Sequence, residues 1–217
     1  MWGVAEMAVS REQFLQALIC RHGAALQEKF TRAQVAVCGL GGLGSNVAIA
    51  LARAGVGQLH LIDFDRVDLS NLNRQQYFVE QLGQYKTQAL AETLSHIAPY
   101  CRIRTDTVRL TAENLASLLA QDDLICEAFD QPEAKAMLVS GVLEQLPEKY
   151  LVAASGMAGL GSANTIRTRR AFGRFYLCGD EASDSCEGLG LVSSRVMACA
   201  AHQAHMILRL LAGETNP

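Results

Sequence analysis

Gln34-Val35-Ala36-Val37-Cys38-Gly39-Leu40-Gly41-Gly42-Leu43-Gly44-Ser45, with Asp63-Phe64-Asp65 downstream, is the stretch that decides the fold. An apolar run at Gln34–Cys38 reads as a strand. It ends in G-x-G-x-x-G (Gly39, Gly41 and Gly44), and a helical pattern from Ser45 to about Ala54 follows. A second strand, Gln58–Ile62, delivers Asp63 nineteen residues past Gly44. In this setting the glycines bring backbone amides up to a phosphate at a helix N-terminus, where the dipole favours anions, and an acid after the second strand holds ribose hydroxyls. Gly39, Gly41, Gly42, Leu43, Gly44 and Asp63 are therefore candidate nucleotide-binding residues. Tight strand-on-helix packing would call for the same glycines, and the motif alone does not say which nucleotide.

Outward from this stretch the hydrophobic pattern alternates between short β-type and longer helical runs. Helical segments fall at Lys86–Ile97, Ala112–Ala120 and Glu133–Leu146, and strands at Arg102–Thr107, Leu124–Ala128 and Tyr150–Ala154. This alternation predicts an α/β fold with a doubly wound, Rossmann-like, mostly parallel sheet. A helical arm from Arg11 to Phe30 precedes it. Glycine-rich sequence after Ser155 leads to two shorter segments, Asn164–Arg170 and Phe172–Leu177, expected as added antiparallel strands near the C-terminus. A loop to about Gly190 and a closing helix from Ser193 to about Leu211 complete the pattern. The expected organisation is one domain over residues 1–217: an arm (1–33), a nucleotide-binding core (34–155) and a closing region (156–217).

The 217 residues are 50% hydrophobic and 19% charged, enough apolar content for a sizeable core and against disorder. Nineteen Lys and Arg against 22 Asp and Glu leave a charge of −3, so nothing global draws the chain to nucleic acid or an anionic membrane. No apolar run approaches the roughly 18 residues of a membrane span. The expectation is a cytoplasmic protein. Seven cysteines without a C-x-x-C pair argue against a disulfide framework or a four-cysteine zinc site. Cys38 and Cys126 lie in strand-like runs and read as buried inert thiols.

The polar stretch from Asp65 to Lys86 separates ATP from NAD. It holds Asn71-Leu72-Asn73-Arg74-Gln75 and then Gly83-Gln84-Tyr85-Lys86, just beyond the ribose acid. A triphosphate brings about four negative charges, and phosphoryl or nucleotidyl transfer consists largely of positioning and neutralising them. Asp130, at the end of a strand, is suited to Mg²⁺, a hard ion that takes carboxylate oxygen. Taken singly, Arg74 reads as a solvated charge, Lys86 as a helix-start lysine and Asp130 as a helix cap. Their order along one chain is what selects a triphosphate. A nicotinamide-dependent oxidoreductase would use the glycines and Asp63 but leave Arg74, Lys86 and Asp130 idle.

G-L-G-G-L-G-S, D-F-D, S-N-L-N-R-Q, the lysine at 86 and Asp130 together resemble the adenylating enzymes related to ubiquitin-activating enzyme, specifically the ThiF/MoeB/HesA group, over about residues 20–212. The resemblance implies ATP-dependent adenylation of the C-terminal glycine carboxylate of a ubiquitin-fold sulfur carrier, with release of pyrophosphate. It implies Asp63 as ribose ligand, Asn71, Arg74 and Lys86 on the phosphate side, Asp130 on Mg²⁺, Asp65 and Gln75 shaping the same site, and a homodimer. The short, zinc-free pattern is closest to a ThiF type acting in thiamin biosynthesis. Rival readings are a dehydratase adenylating threonylcarbamoyl-adenosine tRNA and a non-catalytic partner subunit. Cys186-Glu187-Gly188-Leu189-Gly190-Leu191, with Gln203-Ala204, is similar to the family's segment whose cysteine links covalently to the carrier. The family's arm arginine is not recognisable, with Arg11 and Arg21 as candidates. Cys199, His202 and His205 fall at helical spacing and are read as packing residues.

Overall fold

The computed structural model describes residues 9–182 and 190–217. Seven strands, β1 (Gln34–Cys38), β2 (Gln58–Ile62), β3 (Arg102–Asp106), β4 (Leu124–Glu127), β5 (Tyr150–Ala154), β6 (Arg167–Phe172) and β7 (Phe175–Gly179), form one sheet in the order β3-β2-β1-β4-β5-β7-β6. Every pairing is parallel except β6 with β7, which is antiparallel at one edge. The helices are α1 (Arg11–His22), α2 (Ala24–Arg32), α3 (Gly42–Arg53), α4 (Lys86–Ile97), α5 (Leu115–Leu119), α6 (Pro132–Gln145) and α7 (Ser193–Ala212).

The sheet is covered on both faces, which is why β1 reads as an unbroken apolar run. Val35 and Val37 pack with Leu59 and Leu61 against α3, α4 and α7 through Val47, Leu51, Leu90 and Ile207. Ala36 and Cys38 point the other way, with Ile62 and Ile125, onto α5 and α6 through Leu115, Leu119, Leu138 and Val142. Polar groups interrupt that second face, His60 in β2 and Glu127 at the end of β4. The fully buried His60 has Nδ1 at 2.8 Å from Asp122 Oδ2 and Nε2 at 2.8 Å from Asp106 Oδ2, tying β2 to the end of β3 and to the turn before β4.

Several boundaries differ from the sequence expectation, and three of these differences have a plain local cause. The arm is two helices, because Gly23 adopts φ 87°, a conformation other residues avoid, and its N–H closes α1 on Ile19 O. β6 begins at Arg167 because Ala163–Thr165 forms a 3₁₀ turn capped by the Ser162 side chain on Asn164 N at 3.2 Å. The hairpin turn at Gly173, φ 50°, delays β7 to Phe175.

Chain order reverses between β1 and β4: β2 and β3 lie to one side, β4, β5, β7 and β6 to the other. In such sheets the crevice beyond the carboxyl ends of the two strands at the reversal is the place for a ligand.

Candidate active site

A cleft of about 880 Å³ opens at that point, and the connections that leave β1 to β5 supply its walls. The β1–α3 turn forms the floor. Gly39, φ 90°, lies so close to the β4 end that a Cβ would stand 2.8 Å from Ala128 O, and at Gly44 a Cβ would meet Gly39 O at 1.8 Å. Gly44 therefore lets the helix pack on the turn and does not itself line the cleft. Gly41 is different. The nearest atom to a Cβ there is Gln75 Nε2 at 3.9 Å, so its backbone faces open space, as close approach of a phosphate requires.

Two side chains from beyond α3 help to hold this floor. Asp63 Oδ2 accepts from Leu40 N at 2.6 Å, while its Oδ1 accepts from Asp65 N at 2.8 Å. The Tyr77 hydroxyl donates to Leu40 O at 2.7 Å. Burial raises the Asp63 carboxyl above its ordinary range, against the opposing pull of Lys86. Lys86, buried at the start of α4, pairs with Asp65 Oδ2 at 3.0 Å.

Arg74 lies on the wall facing Asp130. Its guanidinium donates to Ser70 O and to Asn73 Oδ1 at 2.8 Å, and burial pulls its pKa down while Asp130 pushes it up. The Asn71 side chain accepts from Asp68 N at 3.1 Å, so it braces the polar loop as well as lining the cleft. Asn73 Nδ2 donates to Leu191 O at 3.0 Å, and Gly159 N to Gly190 O at 2.8 Å, which pins the segment at 190–191 beside the cleft from two sides.

Gly39, Gly41, Gly42, Leu43, Asp63, Asp65, Asn71, Arg74, Gln75, Lys86 and Asp130 all line this one cavity. Cys186 lies outside the described residues. Cys178 is a buried strand residue beside Thr168, and His202 Nδ1 is 2.9 Å from Thr168 Oγ1.

The residues present fit a nucleotide and a hard cation. Gln75 Oε1 is buried without a hydrogen-bond partner among the described residues, a donor-seeking atom beside the open floor. Asp130 carries an exposed carboxylate with no ion pair among the described residues, the oxygen donor Mg²⁺ prefers.

Several cleft groups were not singled out from the sequence. Lys135, which pairs with Glu127 beneath the Asp130 turn, lines the cleft, as does Arg109, which stacks over Phe64 at 4.3 Å. A buried acid in a strand and an arginine in a loop carry no spacing signal. Only the fixed interval from Glu127 to Lys135, across the strand end to the first turn of the next helix, could have pointed to the pair.

Comparison with known proteins agrees with this geometry. The chain is 31% identical over 196 residues to the molybdopterin-synthase adenylyltransferase of Escherichia coli K12, covering 88% of this chain and 78% of that protein. It is 39% identical over 116 residues to the sulfur carrier protein adenylyltransferase of Thermus thermophilus, covering 53% of this chain and 43% of that one, so it spans less than half of the latter's length. Among solved structures, the E. coli tRNA N6-threonylcarbamoyladenosine dehydratase TcdA in complex with ATP shares the fold, with a TM-score of 0.84 at 22% identity over 94% of this chain and 97% of that one. The profile described as the ThiF family matches residues 13–217; the chain belongs to the ThiF family.

Proposed function

We propose that this ThiF-family adenylating enzyme transfers AMP from ATP to the C-terminal glycine carboxylate of a ubiquitin-fold sulfur carrier protein, giving an acyl-adenylate and pyrophosphate, with a ThiS-like carrier of thiamin biosynthesis as the acceptor. The observation that carries the reading is the convergence of Arg74, Lys86 and Asp130 on one cleft whose floor is open at Gly41. The names of the relatives support a sulfur-carrier acceptor.

In this reading Asp63 takes the ribose, and the Gly41 backbone approaches the phosphates. Lys86 exchanges Asp65 for a phosphate oxygen. Arg74 turns toward the charge that develops as the α-phosphate is attacked. A carboxylate nucleophile is already ionised near neutral pH, so no general base is needed and the stabilisation of developing charge does most of the work. Asp130 would hold Mg²⁺, which when bound neutralises the triphosphate. The whole arrangement is proposed as a single adenylation domain in a cytoplasmic homodimer. Cys186 is proposed to act only after adenylation, its thiolate attacking the acyl-adenylate so that the acyl–phosphate bond breaks, AMP leaves and a thioester links it covalently to the carrier.

Incubation with ATP, Mg²⁺ and purified carriers of the thiamin and molybdopterin types, followed by intact mass measurement, tests this. The expected result is one carrier gaining the mass of a single AMP, the ThiS-like one foremost. Preference for the molybdopterin-type carrier would overturn the thiamin assignment. Modification of threonylcarbamoyl-adenosine tRNA with no carrier adenylated would overturn the acceptor class, and tight binding of a nicotinamide cofactor in place of ATP would overturn the reading of the cleft.

A further inference from the structure

We propose that Glu127 and Lys135 are positioning residues, a buried ion pair that holds the Ala128-Phe129-Asp130 turn so that the Asp130 carboxylate faces the triphosphate side of the cleft. The proposal rests on the reading of the cleft as a Mg²⁺-dependent ATP site.

The Asp130 turn is a short connection between β4 and α6, and Asp130 itself, exposed on the cleft wall, has no ion-pair partner among the described residues to fix it. What fixes the turn lies underneath. Glu127, 1% exposed at the end of β4, folds its side chain back so that Oε1 accepts from Phe129 N at 2.7 Å. Lys135, in the first turns of α6, donates to both Glu127 carboxylate oxygens at 3.0 Å and to Ala154 O, at the end of β5, at 2.9 Å. Gln203 of α7 reaches in from the opposite face of the sheet and donates to Glu127 O at 2.9 Å. Two strand ends and two helices thus converge on one turn.

Lys135 lines the cleft, but its three N–H directions are already taken up by Glu127 and Ala154. It therefore differs from Lys86 in role, bracing the wall where Lys86 meets the ligand. Stability alone gives little reason for such a pair. Desolvating two charges offsets most of their attraction, and a well-packed apolar pair of similar volume is commonly as stable or more so. The directional contact with Phe129 N is what an apolar pair could not supply. The turn also touches the glycine floor, where Ala128 O packs on Gly39, so a shift of one would move the other.

Outer-shell groups of this kind typically change metal affinity or activity by about 10–100-fold when removed. The decisive variants are Glu127→Met/Lys135→Met, in which neither charge is left alone and no side-chain oxygen remains to accept from Phe129 N, and Glu127→Asp, which keeps the pair but withdraws the carboxylate from Phe129 N. Four quantities are measured: thermal midpoint, amide exchange at Phe129 in the ligand-free protein, ATP affinity by calorimetry with and without Mg²⁺, and kcat against KM. Both variants should unfold near the wild-type temperature. Phe129 exchange should quicken by about tenfold or more, the Mg²⁺-dependent gain in ATP affinity should fall by about tenfold, and affinity without Mg²⁺ should change by less than about twofold. If the double variant does not fold, Glu127→Asp decides the matter. Wild-type exchange at Phe129 together with a wild-type Mg²⁺ gain in either folded variant overturns the positioning role. A wild-type protein that binds no ATP overturns the reading of the cleft instead, and the two failures are told apart by the exchange measurement, which needs no ligand.

Discussion

Arg74 and Lys86 illustrate how one charge type can be prepared in two ways. Arg74 is held by neutral acceptors, Ser70 O and Asn73 Oδ1, and Lys86 by the carboxylate of Asp65. Replacing either with Ala should lower the rate of AMP transfer by about 10²-fold, the scale seen when one donor to a developing oxyanion is lost. Asp130→Asn should raise the Mg²⁺ concentration needed for half-maximal rate. Pyrophosphate exchange measured across a Mg²⁺ series checks all three, and wild-type rates in all three variants would reject the site. Asp63 makes a separate prediction about stability. Because burial raises its pKa, the folded protein binds more proton than the unfolded chain between the ordinary value of about 3.9 and the raised one. Stability contributed by this group therefore falls as pH rises through that window. Asp63→Asn should remove that part of the slope, as read from urea unfolding at a series of acidic pH values. Asp63 and Asp130 were legible because each follows a strand, Arg74 because it lies within N-L-N-R-Q, and Lys86 because it closes Gly83-Gln84-Tyr85-Lys86 where a helical pattern begins. Glu127 was not, since an acid in a run of Leu-Ile-Cys reads as one more strand residue until its partner is seen.

The turn from β1 into α3 separates glycines that serve the ligand from glycines that serve packing. Gly41→Ala places its Cβ in open space and should leave the unfolding temperature nearly unchanged while weakening ATP binding by about tenfold or more, since it intrudes where the phosphate must approach. Gly44→Ala drives a methyl into Gly39 O and should cost about 3 kcal/mol or more, at the upper end of overpacking effects. Parallel calorimetry and thermal unfolding distinguish them, and the same loss in both variants would refute the division of roles. At this scale the sequence was informative wherever burial was symmetric. β1, β2, β5 and α4 fall on the residues expected, because a strand covered on both faces or a helix with one apolar stripe leaves a plain periodicity. It was less informative where a boundary depends on one backbone dihedral, as at Gly23 and Gly173, or on a single cap, as at Ser162.

Over the molecule as a whole, the two-sided core decides which thiols meet solvent. Cys38, Cys126, Cys178 and Cys199 are buried, and burial pushes Cys178 up to about 11 and Cys199 to about 12, so at pH 8 about one in a thousand or fewer carries the reactive thiolate. Cys20 is exposed. Alkylation of the native protein followed by peptide mass analysis should therefore mark Cys20 before these four, which should react together only on unfolding; early labelling of Cys199 would contradict the packing of α7 on the sheet. That the sheet is doubly wound was readable from alternation alone, whereas the contact of α7 with β4 through Gln203 joins residues 76 positions apart and left no trace in local pattern. The contact between Lys86 and Asp65 also bears on how the molecule meets its surroundings. At rest Lys86 already holds its counter-ion. Chloride or a lone monovalent anion gains little by entering, because it must displace a carboxylate already fixed 3.0 Å from the ammonium, while a polyanion that also engages Arg74 and the glycine floor can replace it. On the proposed reading the site is expected to work as an ion exchanger with a threshold, passing over small anions and answering to one that carries several charges in a row.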